Sequence, residues 1–177
     1  MEQIYGTTIL AVKKDGKTVI AGDGQATISN TVFKAHSIKV RRIYNDKVIV
    51  GFAGGVADAL TLIDRFEEML QKYSGNLLRS AVELAQHWRR DEYMRKLEAQ
   101  LIAADKENLL IISGVGDVTE AEDGICSIGS GSNFAYAAAK ALIQNTNYSA
   151  KEIALKSMDI ASDICIYTNK NILVEEI

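Results

Sequence analysis

Thr7 follows Gly6 close to the start of the chain, and this pair of residues can support hydrolytic chemistry. If residues 1–6 are removed, Thr7 gains a free α-amino group, whose ordinary pKa of about 7.7–8.0 suits a general base near neutral pH. The Thr7 hydroxyl would then be a nucleophile with its base on the same residue. Taken alone, the run Gly6-Thr7-Thr8 is more typical of a β-strand that opens with two β-branched residues.

Other hydrolytic and nucleotide-dependent chemistries find no support in the sequence. The two histidines, His36 and His87, do not lie near a serine or cysteine in a triad-like context, and no set of zinc ligands is present. Residues 129–134 resemble a dinucleotide-binding turn but lack its third glycine and the acidic residue that should follow. Ile128 stands two residues before Ser130, so the nucleophile motif GxSxG is absent, and there is no GxxxxGK[ST] phosphate-binding loop.

The composition predicts one ordinary globular domain. A chain of 177 residues that is 47% hydrophobic is long enough to bury a core without disulfides or metals. The net charge of -3 gives no basic field that would attract nucleic acid. The basic cluster Lys39, Arg41 and Arg42 is a local exception, typical of a solvated strand face or an active site. Cys126 and Cys165 are far apart, which suits a reducing compartment.

The first residues do not resemble a signal peptide, and no apolar run approaches the roughly 18 residues that a membrane span needs. We therefore expect a soluble, cytoplasmic protein.

Strands are predicted on both sides of the turn Asp15-Gly16, over residues 8–12 and 17–21, because an Asp-Gly step between apolar segments is a strong hairpin signal. Ser29-Asn30 and Asn45-Asp46 mark turns between further strands, the last of which is predicted over residues 47–53. Several β-branched positions run together without polar alternation, which indicates that at least one strand is covered on both faces.

The middle and the last third of the chain combine helices with further strands. Apolar residues at three- and four-residue spacing predict helices over residues 56–73 and 78–88. An alanine-rich helix is predicted over 133–144, and Ser149 and Glu152 form a capping box that starts a fourth. The remaining predicted strands cover residues 97–104, 109–113, 124–128 and 171–175. This order is not the strict βα alternation of a doubly wound sheet. Two antiparallel sheets packed face to face, each with a helix pair outside, would bury every apolar stripe.

The sequence resembles the HslV-type peptidases, the N-terminal-threonine subunits of the bacterial HslUV protease and relatives of the proteasome β-subunits. The resemblance runs from Thr7 to Ile177 and is carried by separated motifs: Thr7-Thr8-Ile9, Gly22-Asp23-Gly24-Gln25, Lys39-Val40-Arg41-Arg42, Gly51-Phe52-Ala53-Gly54-Gly55, Gly129-Ser130-Gly131 and Cys165-Ile166-Tyr167-Thr168-Asn169. It implies an α+β fold, a four-layer αββα sandwich of the N-terminal nucleophile hydrolase type. Residues 7–177 would form the peptidase domain, and residues 1–6 a leader.

The resemblance also implies a role for each of five residues. Thr7 would be the nucleophile, and Lys39 the neighbouring cation that keeps the free amine neutral and stabilises negative charge. Asp23 would pair with Lys39. The Gly51 N–H would donate to the oxyanion, and Ser130 would hydrogen-bond near the Thr7 amine. The leader would be removed autocatalytically, when the Thr7 hydroxyl attacks the Gly6 carbonyl and water hydrolyses the ester.

A sodium site and an assembly are implied in the same way. Carbonyl oxygens of Ser162, Cys165 and Thr168 would hold the Na⁺ ion, although Ser162 stands where the family often has glycine. No cofactor is implied for catalysis. Two stacked hexameric rings would enclose a chamber for degrading unfolded proteins, and a hexameric HslU-type AAA+ ATPase would use ATP to unfold substrates and open the chamber.

Three alternatives remain open from the residues. The first is a ring-forming structural subunit whose threonine is never uncovered. The second is an amidase with the same fold that acts on small molecules. The third is a binding-only α/β domain, which would require nucleotide affinity.

Overall fold

The computed structural model describes residues 4–177 of the chain. Two antiparallel sheets dominate this part of the chain. Its strands are β1 Ile4–Tyr5, β2 Thr8–Lys14, β3 Lys17–Asp23, β4 Ala26–Ile28, β5 Thr31–Lys34, β6 Val40–Ile43, β7 Val48–Gly54, β8 Ala99–Ala104, β9 Leu109–Ser113, β10 Val118–Glu120, β11 Ile125–Gly129 and β12 Ile172–Glu176. Its helices are α1 Val56–Lys72, α2 Leu77–Arg90, α3 Ser132–Asn145 and α4 Ala150–Ile164, with a single 3-10 turn, Met94–Lys96, before β8.

The two main sheets form the inner layers of the molecule. One has five strands in the order β10-β9-β8-β7-β6, and the other has four in the order β11-β2-β3-β12. Helices α1 and α2 pack on the outer face of the five-stranded sheet, while α3 and α4 cover the outer face of the four-stranded sheet. A third apolar cluster fills the space between the sheets. The predicted four-layer αββα sandwich is therefore confirmed.

Strand β2 shows why the inner strands lack polar alternation. Successive side chains of a strand point to opposite faces, so Ile9 and Ala11 face the five-stranded sheet, while Leu10 and Val12 face α3 and α4. All four side chains are buried. The part of the strand that is covered on both faces is therefore apolar at every position, as the sequence indicated.

The helix ends follow local signals in the sequence. At the start of α4, the Ser149 side chain accepts from the Glu152 N–H and the Glu152 carboxylate accepts from the Ser149 N–H, which confirms the predicted capping box. After α1, the Gly75 N–H donates to the Leu70 carbonyl at 2.7 Å, with Gly75 at φ 79°. Glycine takes this left-handed conformation without strain, which explains why the helix stops there.

A small third sheet, in the order β1-β4-β5, lies beside the end of β2. Its strand β1 belongs to the predicted leader and pairs antiparallel with β4, with Ile4 opposite Ile28 and Tyr5 opposite Thr27. The predictions did not include β1, β10 or the 3-10 turn, and the strand predicted over 97–104 begins at Ala99. Residues 1–3 of the predicted leader lie outside the described residues.

In the described part of the chain, no helix is long and apolar enough to cross a membrane.

Gly51 lies in the middle of β7, where the two main sheets approach each other. A methyl group added at its Cα would lie 2.6 Å from Cγ2 of Ile9 and 3.1 Å from Cγ2 of Ile20. Both neighbours are β-branched residues of the opposite sheet, so their γ-carbons are restricted in moving aside. The absence of a side chain at Gly51 therefore sets the local distance between the sheets.

We predict that Gly51→Ala lowers the free energy of unfolding by about 1–3 kcal/mol, because it overpacks the space between the sheets. Chemical denaturation monitored by circular dichroism measures the change. Ile9→Ala removes the methyl group that the new side chain would meet. In a double-mutant cycle, the pair should therefore be at least about 0.5 kcal/mol more stable than the sum of the single changes predicts. An unchanged denaturation midpoint for Gly51→Ala would contradict the packing role.

Candidate active site

Thr7 lies between β1 and β2, with Gly6 still joined to its nitrogen. Its side chain is buried, and its hydroxyl donates a hydrogen bond to the Gly6 carbonyl oxygen at 2.7 Å. The residue lines a cavity of 610 Å³ that opens between the ends of the two main sheets. The group that could act as a nucleophile is therefore held against the peptide bond that would have to be cut to release its amine.

Lys39 stands directly before β6 and is only 3% exposed. Its ammonium group donates to the Gly6 carbonyl oxygen at 2.6 Å, to Oδ1 of Asp23 at 3.1 Å and to the Gln25 carbonyl oxygen. An ammonium group has three donors, and each has an acceptor here. One of the three is the same Gly6 oxygen to which the Thr7 hydroxyl donates.

Asp23 ends β3 and is 1% exposed. Oδ1 accepts from the Thr8 N–H at 2.7 Å as well as from Lys39, and Oδ2 accepts from the Gln25 N–H at 2.9 Å and the Asn169 N–H at 3.3 Å. Hydrogen bonds from backbone amides stabilise the ionised carboxylate. The negative charge is thus fixed beside Lys39 by groups from three segments of the chain.

Burial lowers the pKa of the Lys39 ammonium below its ordinary value, because an interior site disfavours the charged form. The Asp23 carboxylate opposes this effect through its charge and its hydrogen bond, both of which raise the pKa. Lys39 thus releases its proton more readily than a lysine in water, while its charged form is compensated by one carboxylate.

Ser130 lies between β11 and α3, and its side chain is exposed at the cavity. Its own N–H donates to the Thr7 carbonyl oxygen at 2.7 Å. The structure therefore brings four of the five residues that the resemblance singled out, namely Thr7, Asp23, Lys39 and Ser130, to one end of the sandwich.

The structure does not bring Gly51 into this group. The Gly55 N–H donates to the carbonyl oxygen of Glu98, the residue directly before β8. Along an antiparallel ladder, hydrogen-bonded pairs alternate with pairs that are not hydrogen-bonded. By this alternation, the Gly51 N–H is directed at the carbonyl oxygen of Ile102 in β8. Gly51 is also outside the set of residues that line the cavity. The register does not support its predicted role as the oxyanion donor.

Gly54, three residues further along β7, is better placed for that role. The same alternation turns its N–H to the β6 side, as the Phe52 N–H, which donates to the Lys39 carbonyl at 3.1 Å, also shows. Strand β6 begins only at Val40, so the Gly54 N–H is directed past its end, where Gly54 and Ser37 both line the cavity. Gly54 has φ 112°, and a methyl group there would overlap the Glu98 carbonyl oxygen, so the position requires glycine.

The predicted sodium ligands lie at the end of α4 and in the turn that follows it, which contains Thr168. Ser162 and Cys165 have carbonyl oxygens in the last turn, where helical carbonyls lack a partner within the helix. The Cys165 carbonyl accepts from the Thr168 N–H at 3.0 Å, which leaves its second lone pair free for an ion. Carbonyl oxygens are the hard ligands that a small cation prefers, so the donor chemistry of these residues fits Na⁺.

Three further residues support the site and were not singled out from the sequence: Thr8, Gln25 and Asn169. The Gln25 side-chain amide donates to the Ile166 carbonyl at 2.8 Å and to the Thr27 hydroxyl at 3.0 Å. The Asn169 side chain accepts from the Gly24 N–H at 3.1 Å and donates to the Ala35 carbonyl at 2.9 Å. All three lie inside the motifs that carried the resemblance, which was the signal available for finding them.

Comparisons with known proteins identify the family to which the chain belongs. The family model for proteasome subunits matches residues 4–177. The crystal structure of eukaryotic HslV from Trypanosoma brucei superposes with a TM-score of 0.92 at 46% sequence identity, covering 96% of this chain and 98% of that chain.

Two structures of Thiobacillus denitrificans BPH share the fold at lower identity. The complex with epoxomicin superposes with a TM-score of 0.74 at 18% identity, and BPH alone with 0.73 at 17%, each covering 96% of this chain and 97% of that chain. The whole-chain family match and the identity with the trypanosomal protein together show that this chain belongs to the proteasome subunit family, as an HslV-type member.

Proposed function

We propose that the chain is a threonine endopeptidase whose nucleophile is the Thr7 hydroxyl, exposed as an N-terminal residue after removal of residues 1–6. The observation that carries the proposal is the double contact on the Gly6 carbonyl oxygen, from Thr7 Oγ1 at 2.7 Å and Lys39 Nζ at 2.6 Å. The buried ammonium polarises the very carbonyl that the adjacent hydroxyl must attack.

Removal of the leader would proceed in two steps. The Thr7 oxygen attacks the Gly6 carbonyl carbon, and the negative charge that develops on the carbonyl oxygen is stabilised by Lys39. The peptide C–N bond then breaks, and the nitrogen takes up the proton that the hydroxyl loses and becomes the Thr7 amine. The leader is held as an ester on Oγ1. Water hydrolyses this ester and releases residues 1–6 with a carboxylate on Gly6.

The processed residue would then cut other peptides with the same groups. Loss of Gly6 frees one donor of the Lys39 ammonium, and its positive charge favours the neutral, basic form of the nearby Thr7 amine. The amine takes the hydroxyl proton as the oxygen attacks the scissile carbonyl, and gives it to the leaving nitrogen when the C–N bond breaks. Water then hydrolyses the ester on Oγ1 and restores the Thr7 hydroxyl. The Gly54 N–H is the backbone donor best directed at the developing oxyanion. Ser130 lines the same cavity as Thr7 and would hydrogen-bond near the amine.

The leader also marks where a substrate would lie. Strand β1 pairs antiparallel with β4 and leads directly into the Gly6–Thr7 bond. Once β1 has left, the edge of β4 offers its backbone groups to an extended peptide, which would add a strand and bring a carbonyl to Thr7. This mode of binding depends on main-chain contacts, so it accepts unfolded polypeptides of many sequences.

The assembly and the partner are proposed by resemblance to the family. Twelve copies in two stacked hexameric rings would enclose the active sites, and a hexameric HslU-type AAA+ ATPase would unfold substrates with ATP in the cytoplasm. Catalysis itself needs no cofactor. A Na⁺ ion on the carbonyl oxygens of Ser162, Cys165 and Thr168 would support the end of α4, through which Asn169 reaches Asp23.

We predict that the purified protein begins at Thr7, whereas Thr7→Ala keeps the leader, because the variant lacks the attacking hydroxyl. Intact-mass spectrometry measures both chains. Thr7→Ser is the matched variant, since it retains a hydroxyl and should lose residues 1–6, although more slowly. Trimming of Thr7→Ala at the same bond would assign the cleavage to a host protease and contradict self-processing.

Lys39→Met should slow leader removal and peptide hydrolysis by at least about 100-fold, because it removes the charged donor from the Gly6 oxygen while keeping much of the side-chain volume. A time course of intact mass and a fluorogenic peptide assay measure the two rates. Lys34→Met, on the exposed strand β5, is the control and should leave both rates unchanged.

Because Lys39→Met leaves the Asp23 carboxylate buried without its cation, a thermal melt must accompany the assay. The double variant Lys39→Met/Asp23→Asn removes the remaining charge and should regain stability but not activity. Activity near the wild-type rate in a folded Lys39→Met protein would contradict the assignment.

We predict that degradation of an unfolded protein requires an HslU-type ATPase and ATP, and that the processed chain has about twelve times the subunit mass by light scattering. Processed Thr7 protein and the Thr7→Ala variant are compared with and without the ATPase. Hydrolysis of small amides that ignores the ATPase would favour the amidase alternative. An assembled ring without activity would favour the structural subunit.

A further inference from the structure

Thr8, next to the proposed nucleophile, has a hydroxyl group that the proposed chemistry leaves unused. The residue is completely buried. Its Oγ1 accepts a hydrogen bond from the Gly131 N–H at 2.9 Å and lies 2.6 Å from Oγ1 of Thr168, where either hydroxyl can be the donor. One hydroxyl therefore joins three segments that are distant in sequence.

The contact among these three groups is tight. A methyl group added at Gly131 would lie 2.5 Å from Oγ1 of Thr8 and 2.7 Å from Oγ1 of Thr168. Gly131 has φ -94°, which any residue can adopt, so its lack of a side chain serves the close approach and not the backbone conformation. The backbone at Gly131 thus packs directly against the two hydroxyl groups.

Hydrogen bonds from the amide groups on both sides of its Cα fix the backbone of Ser130. The Ser130 N–H donates to the Thr7 carbonyl oxygen at 2.7 Å, and the next amide, that of Gly131, donates to Thr8 Oγ1. With two consecutive amides held by Thr7 and Thr8, the Cα of Ser130 and the direction of its side chain at the cavity are determined relative to the nucleophile.

The second partner, Thr168, belongs to the segment that reaches the buried ion pair. In that segment the Ile166 carbonyl accepts from the Gln25 side chain at 2.8 Å, and the Asn169 N–H donates to Oδ2 of Asp23. The Thr8 N–H donates to the other oxygen of the same carboxylate. Thr8 therefore contacts both the loop that carries Ser130 and the segment that holds Asp23.

We propose that the Thr8 hydroxyl is a positioning group for hydrolysis, which fixes Ser130 and the Asp23–Lys39 pair relative to Thr7 without touching the substrate. This role rests on the proposed threonine peptidase function. An error of about 1 Å in the placement of catalytic groups can lower a rate on the order of 100-fold, so a buried hydrogen bond of this kind can control turnover.

The test compares Thr8→Val with Thr8→Ser in the assembled enzyme with its ATPase and ATP, using a fluorogenic peptide. Valine keeps the shape and removes the hydroxyl, so kcat should fall by about 10- to 100-fold while KM changes little. Serine restores the hydroxyl and should recover most of the rate. Intact mass reports leader removal by each variant as an independent readout.

Thr18→Val is the matched control, because Thr18 is also a buried strand threonine, at the far end of the β2–β3 hairpin. It should leave kcat unchanged. Gly131→Ala keeps every hydroxyl but pushes Gly131 away from them, so it should reproduce the loss of kcat and provides a second route if Thr8→Val folds poorly.

Four outcomes decide the proposal. Loss of kcat in Thr8→Val with rescue by Thr8→Ser supports it. A wild-type kcat in folded Thr8→Val overturns the role of Thr8 alone, as does a serine variant that is as impaired as the valine variant. A wild-type enzyme without peptidase activity would overturn the proposed function and this role together.

Discussion

The buried ion pair between Asp23 and Lys39 is the constraint on which the rest of the structure depends. Two charges that are almost wholly removed from water destabilise a fold unless hydrogen bonds compensate them. Here Asp23 accepts from three backbone amides as well as from Lys39, and the ammonium donates to two carbonyl oxygens besides the carboxylate. These partners come from both ends of the chain, so the site cannot form before the fold does.

The pair also joins the two main sheets. Asp23 ends β3 in the four-stranded sheet, and Lys39 leads into β6 in the five-stranded sheet. Gly22 lets the layers approach, since a methyl group there would lie 2.8 Å from Cγ2 of Val40 in the other sheet. The α-helices outside the sheets bury the opposite faces, so inner strands such as β2 are covered on both faces. Packing and chemistry thus impose the same geometry, in which the two sheets lie close together at the end where Thr7 precedes β2.

Local signals in the sequence were sufficient for most of the fold and for only part of the site. Hairpin turns, helical spacing and the Ser149 capping box depend on neighbours in sequence, and the structure contains each of them. Strand β1 depends on pairing with β4, which no local pattern reveals. The choice between Gly51 and Gly54 depends on the parity of the β7 ladder: a shift by an odd number of residues turns an amide from one neighbouring strand to the other. The motif contains both glycines, so composition could not decide between them.

On the proposed chemistry, the leader links the ion pair to the time at which the enzyme becomes active. While Gly6 remains attached, its carbonyl oxygen accepts from Lys39 and from the Thr7 hydroxyl, so both groups are occupied by the bond that they would cut. On the proposed chemistry, cleavage removes this acceptor and creates the Thr7 amine in the same event. The N–H of the Lys39 ammonium that has lost its acceptor and the new Thr7 amine then face the same small volume at the mouth of the cavity. Because both changes follow from one bond, a chain with its leader has neither the base nor the open β4 edge that cutting another polypeptide requires.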